Sequence, residues 1–217
     1  MANFSVTDLN KVKRLAKRSN YDKDVIYPII DEALICHVGF VQDGRPFVIP
    51  TIHARVEDEI VLHGSVANRM LQHAQEPSPL CLTMTLIDGL VIARSVFHSS
   101  MNYRSVVLFG NGRLVEAEEE KLRALEAITE HIARGRWNDA RLPNKKEMKE
   151  TAVVAVEIET ASAKIRTGPP IDDDEDYALP IWAGVVPLEL RAVAPVNDAK
   201  LRPDIATPSY LKAYTRR

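Results

Sequence analysis

Cysteine is scarce in this chain of 217 residues, and the two present, Cys36 and Cys81, each lie within an apolar strand-like run. Their spacing fits no zinc motif, so both read as reduced core thiols, free cysteine being among the most buried residue types. Charge of one sign is lacking too: 28 basic against 30 acidic residues leave a formal charge of −2, too weak a field to gather nucleic acid. No apolar run approaches membrane-spanning length, and Met1 leads straight into the polar stretch from Ala2 to Thr7, without the apolar core of a signal peptide. The expectation is a soluble, cytoplasmic protein with neither nucleic acid nor membrane as partner. Also missing are a Rossmann glycine fingerprint, a P-loop and a GxSxG elbow. The six histidines show no HExxH or HxH spacing, and His37, His53 and His63 fall on separate strands, so no metal site is predicted.

What is present is an ordinary globular composition, 46% hydrophobic, and a length that suits one domain with extensions. The expected division is an N-terminal arm over 1–20, a main domain over 21–190 and a C-terminal extension over 191–217. Capping residues at 19–22 precede Val25, Ile26, Ile29, Ile30 and Ala33, one apolar helical stripe with Pro28 tolerated in its first turns. From Leu34 the period changes to a strand over 34–41, an Asp43-Gly44 hairpin turn and a second strand over 46–54. Pro50 requires an edge position or a bulge there. Glu57-Asp58 turns the chain into a third strand, completing an antiparallel meander.

Further strands are expected at 80–86 and, after an Asp88-Gly89 turn, at 90–97 as strand or short helix. A long strand with a glycine-permitted bend covers 103–116, and the last runs over 151–158 into 162–167, where Lys164 and Arg166 share a face. An amphipathic helix spans 117–132, with Glu118, Glu119 and Glu120 at its positive end. The acidic run 171–177 reads as a solvated loop, 179–188 as an apolar segment near the sheet, and the tail as irregular or draped over a partner chain. Five or six antiparallel strands make the chain mainly β, a small closed or split barrel with peripheral helices.

One stretch has chemistry in it. Residues 60–71 read as a strand running through the small-residue turn at Gly64 and Ser65 into a helix, where first-turn N–H groups, joined by Ser65, Asn68 and Arg69, suit a phosphate. His63 reads equally as a strand histidine donating to backbone or as a functional group.

In order and spacing the chain resembles the FMN-binding split-barrel proteins related to pyridoxamine 5′-phosphate oxidase, most closely the branch that includes nitroimidazole-resistance flavoproteins. The matching pieces are Tyr21-Asp22, Cys36-His37-Val38-Gly39-Phe40 with Asp43-Gly44, Val48-Ile49-Pro50-Thr51, Leu62-His63-Gly64-Ser65 with Asn68-Arg69, Met101-Asn102-Tyr103-Arg104-Ser105-Val106 and the run from Ala163 to Pro170. The resemblance implies a six-stranded antiparallel split β-barrel of the FMN-binding type. Val48, Ile49, Pro50 and Thr51 would lie along the isoalloxazine ring, His63, Gly64 and Ser65 would lead to the phosphate, and Asn68 and Arg69 would bind it. In such proteins FMN sits at a homodimer interface, so Tyr103, Arg104, Ser105 and Trp182 would approach from the other subunit. Where the oxidase has a basic residue after the phosphate arginine this chain has Met70, and the oxidase's basic pyridoxal-phosphate set has no match. A true pyridoxamine phosphate oxidase is therefore disfavoured. The expectation is an FMN-dependent oxidoreductase, nitroreductase- or oxidase-like, with His63 the candidate catalytic residue, passing electrons from NAD(P)H or a partner to a small acceptor. The alternatives are a non-catalytic flavin carrier or sensor, and a haem-binding or haem-degrading barrel with His63 or His37 as axial ligand.

Overall fold

The computed structural model of the chain describes residues 2–76 and 78–215. Among them the elements are β1 (Ser19–Asn20), α1 (Lys23–Glu32), β2 (Ile35–Gln42), β3 (Arg45–Ile52), β4 (Ala54–Val56), β5 (Glu59–Ser65), α2 (Arg69–Ala74), β6 (Pro79–Ile92), β7 (Ser100–Leu114), α3 (Glu118–Ile132), α4 (Lys145–Glu150), β8 (Thr151–Glu157), β9 (Thr160–Arg166), β10 (Gly184–Pro187) and α5 (Ser209–Lys212). The fold is mainly antiparallel β with flanking helices, and its ten strands exceed the six expected because short segments such as β1, β4 and β10 also pair. The chain forms two compact units whose segments alternate in sequence. The first takes Met1–Pro50, Pro79–Gly110 and Ile158–Glu189, the second Thr51–Ser78, Asn111–Glu157 and Leu190–Arg217.

In the first unit α1 starts at Asp22, whose carboxylate accepts from the Asp24 N–H at 2.9 Å. Its stripe buries Ile26, Ile29 and Ile30 almost completely, each contributing about 1.5–3 kcal/mol. Asp43 and Gly44 both take positive φ, as a two-residue hairpin between β2 and β3 demands. β3 ends the strand order, so Pro50 deprives no inner ladder of a donor. β2 pairs with β6, β6 with β10, and β9 with both β7 and β1.

The expected Asp88-Gly89 turn does not form, because β10 runs alongside and keeps β6 straight. A Cβ at Gly89 would stand 3.0 Å from the Val186 carbonyl oxygen, so this glycine admits a neighbouring strand instead of reversing the chain. The segment after the last long strand is likewise a separate strand, β9, with Lys164 and Arg166 opposite Ser105 and Tyr103 on one face. At the N-terminus Asn10, 3% exposed, donates to the Ser5 and Ala161 carbonyls and to Thr160 Oγ1, which ties the arm to β9.

In the second unit β5 pairs with β4 and β8, and β8 with the end of β7. The meander is thus interrupted: β5 takes its long partner, β8, from far along the chain. Strand alternation gives this sheet two distinct faces. One carries Val61, Val153 and Ala155, packed with Ala124 and Ile128 of α3. The other carries Leu62, Gly64, Gly112 and Val154, and α2 covers it; a Cβ at Gly112 would stand 2.0 Å from the Ala74 carbonyl oxygen.

The charged segment at 145–150 forms α4 through a capping box between Asn144 and Glu147. The tail is irregular up to α5, as expected. Pro77 of the loop after α2 and Arg216 and Arg217 of the tail lie outside the described residues. No helix among the described residues is long and apolar enough to cross a membrane.

Candidate functional site

In the second unit β5 delivers Gly64 and Ser65 to the start of α2. A Cβ at Gly64 would meet Leu71 Cδ1 at 3.0 Å and Asn68 Nδ2 at 3.5 Å, so a larger residue here would require the Leu71 side chain to give way for the strand end to pass this close beneath the helix. The first-turn donors are not all open, contrary to the sequence expectation. Asn68 is the N-cap, and its Oδ1 accepts from the N–H groups of Met70 at 2.9 Å and Leu71 at 3.4 Å. Ser65 Oγ accepts from the Ala67 N–H at 3.2 Å. Arg69 follows, exposed on the first turn. The structure therefore brings Gly64, Ser65, Asn68 and Arg69 together on one small-residue turn that is pre-shaped by its own side chains.

His63 stands apart from that turn. Alternation along β5 places it with Val61 on the α3 face, opposite Val153, whereas Gly64 faces α2. Its Nδ1 is buried without a hydrogen-bond partner among the described residues. Burial pushes its imidazole below the usual histidine range, favouring the neutral form of the ring.

In the first unit Val48 is 67% exposed on β3, with Ile49 half-buried and Pro50 exposed beside it; Thr51 opens the second unit. Tyr103, Arg104 and Ser105 lie half-buried on β7. Arg104 is fully engaged: it grips Glu32 of α1 through Nη1 and Nη2 at 2.5 and 2.9 Å and Asp88 of β6 through Nη2 and Nε at 2.7 and 3.0 Å. The hydrogen bonds it donates to Glu32 and then to Asp88 hold its guanidinium well above the ordinary arginine range. Ser105 Oγ donates to the Lys164 carbonyl at 3.3 Å. Trp182 is 64% exposed and leans on Gly184, where a Cβ would come within 2.9 Å of its ring.

Sequence reasoning missed two polar groups of the first unit. Asp172, placed in a solvated loop, has a fully buried side chain that accepts from the backbone N–H groups of Arg94 at 2.9 Å and Ser95 at 3.2 Å and from Arg94 Nη1 at 3.1 Å. Burial pushes its carboxyl up, but the Ser95, Arg94 backbone and Arg94 side-chain bonds outweigh it and leave the pKa lowered. Arg166, expected only to share a strand face with Lys164, is 7% exposed; it donates to Asn102 Oδ1 and to the Gly168 and Pro169 carbonyls. Nothing local in an acidic run or a strand end marks the one member that turns inward.

Comparison with known proteins agrees with this architecture. The family model described as pyridoxamine 5′-phosphate oxidase matches residues 22–165. The structure is similar to that of the flavocytochrome Anf3 from Azotobacter vinelandii, at 38% identity and a TM-score of 0.90 over 96% of this chain and 97% of that one. It is similar to an FAD and haem binding protein from Mycobacterium smegmatis, at 34% identity and a TM-score of 0.87 over 91% and 97%. A candidate 5-nitroimidazole antibiotic resistance protein from Bacteroides thetaiotaomicron follows at 26% identity and a TM-score of 0.56, over 68% and 86%. No curated protein matches the chain. On the family match and on the identity shared along nearly the whole length, this chain belongs to the pyridoxamine 5′-phosphate oxidase-like split-barrel family.

Proposed function

We propose that the chain is a flavin-binding redox protein, working in the cytoplasm as a homodimer with the flavin at the subunit interface. The observation that carries this reading is the pre-shaped turn from Gly64 to Arg69 within a chain that shares more than a third of its residues with a flavocytochrome over almost its full length. The phosphate next to the ribityl chain is common to FMN and FAD. Ser65 and Arg69 suit that phosphate, while Asn68 holds the helix start in shape. FMN is the ligand expected from the sequence; FAD is the one named for the Mycobacterium smegmatis neighbour. Val48, Ile49, Pro50 and Thr51 are the proposed ring-side residues, and Tyr103, Ser105 and Trp182 the proposed contribution of the second subunit. Arg104, with both carboxylates in its grip, fits a bracing role better than a ligand role. The bound flavin would supply hydride and one-electron chemistry, with NAD(P)H or a partner as donor and a small molecule as acceptor.

A second reading, that haem is bound as well, is favoured by His63. A neutral imidazole with an unpartnered buried nitrogen, on the strand face away from the phosphate turn, is the kind of group that serves as an axial ligand. The absorbance spectrum of the purified protein, with mass spectrometry of the released ligands, tests both readings. Flavin bands are expected, with retention lost in Arg69→Ala and kept in Arg113→Ala; colourless protein that takes up neither FMN nor FAD would refute the first reading. A Soret band that shifts or vanishes in His63→Ala while the flavin bands remain supports the second, and an unshifted Soret band refutes His63 as the ligand.

A further inference from the structure

The C-terminal tail combines order with exposure in a way that its own subunit does not explain. Every residue from 190 to 206 is exposed, including Leu190 at 79%, Val193 at 83% and Val196 at 93%. The backbone hydrogen bonds inside this stretch are two local turns, Leu201 N–H to Asp198 O and Ile205 N–H to Arg202 O. Yet the far end is fastened firmly. Tyr210 donates to Asp139 Oδ2 at 2.7 Å and lays its ring on Gly135, and Tyr214 donates to the Ile132 carbonyl at 2.7 Å, at the end of α3. Fixing an extended backbone costs conformational entropy, and apolar side chains left in water recover none of it. A strap with its far end tied down and three bare aliphatic residues in its middle is built to lie on another surface.

We propose that residues 190–206 form an intersubunit arm whose Leu190, Val193 and Val196 pack on a second copy of this chain. Two observations select a second copy over an unrelated protein. The chain itself offers further bare apolar residues, Val96 and Phe97 at 94% and 88% exposure and Ile181 and Trp182 at 48% and 64%. It also presents the exposed acidic residues Asp173, Asp174 and Glu175, opposite in sign to Arg191 and Lys200 of the arm. The arm is not an idiosyncratic tail either, since the superposition on the Azotobacter structure omits fewer residues than the arm contains.

This inference rests on the homodimer reading, and the experiment separates the two. Sedimentation velocity is run on the full chain and on the Leu190→Ser/Val193→Ser/Val196→Ser variant, with circular dichroism to confirm that the variant is folded. The expected result is a wild-type dimer and a variant whose dimer dissociation constant rises by at least about tenfold. A wild-type dimer with an equally tight folded variant overturns the arm and leaves the homodimer standing. A wild-type monomer at micromolar concentration overturns both.

Discussion

Arg104 and Arg113 lie on the same strand, β7, and each holds two carboxylates, yet the structure gives them different weight. Arg104 is 29% exposed and joins α1 to β6 through five hydrogen bonds. Arg113 is 48% exposed and joins Glu59 of β5 to Glu120 in the first turn of α3. In water-rich surroundings the Coulomb gain is small and the side-chain entropy cost remains, whereas partial burial leaves two stranded carboxylates if the cation is removed. The number of ion pairs around an arginine therefore says less than how far the guanidinium itself is from solvent, since the four carboxylates are similarly exposed. The contrast also separates bracing from binding: the arginine expected to reach a flavin is the one most completely occupied within its own unit.

Three measurements bear on that contrast. The largest effect is expected from Arg104→Met, which leaves Glu32 and Asp88 facing an apolar side chain. Urea unfolding should show a loss of about 1–2 kcal/mol, below the about 3–5 kcal/mol of a fully buried pair because the carboxylates are 40% and 32% exposed. Flavin retention per folded molecule should stay at the wild-type level, and a loss of flavin without a loss of stability would return Arg104 to the ligand set. Arg113→Met should cost about 0.5 kcal/mol in the same assay; a cost equal to that of Arg104→Met would remove the distinction that burial draws.

The smallest effect is one of pH. The Arg113 hydrogen bond, more than any other influence, holds the Glu120 carboxyl below its ordinary 4.5. A depressed carboxylate adds stability that is complete above its unfolded pKa and fades as pH falls through the folded one. Wild type and Arg113→Met should consequently converge in melting temperature as pH drops below about 4.5, the unshifted value. A constant gap down to acid pH would show that Arg113 acts through packing of its stem rather than through its charge.

Much of this was legible in the sequence because it depends on neighbours a few residues away. The α1 stripe of Ile26, Ile29 and Ile30, the Asp43-Gly44 hairpin and the continuation of β7 as one strand past Gly110 all follow from local periods and φ preferences. Gly89 and Asp172 illustrate the opposite case. A glycine after an aspartate has the same local preference whether it turns the chain or admits a strand, and β10, which decides, is contributed from residues 184–187. One aspartate among several in an acidic run looks like the rest until the Arg94 and Ser95 N–H groups are brought to it. The split into two units is illegible for the same reason, since each collects three separated segments.

The sequence alone determined the mainly β class, the strand-turn-helix from Ile60 to Leu71 and the family to which its motifs belong, because alternation, turn chemistry and motif order are properties of a linear string. Tertiary structure alone decided that β5 pairs with β8, that His63 and Gly64 look to opposite faces, and that Arg104 spends its Nε, Nη1 and Nη2 donors on Glu32 and Asp88. Those outcomes depend on which distant segments come to lie alongside β5 and β7, and burial, which sets the worth of every polar contact here, exists only after they do.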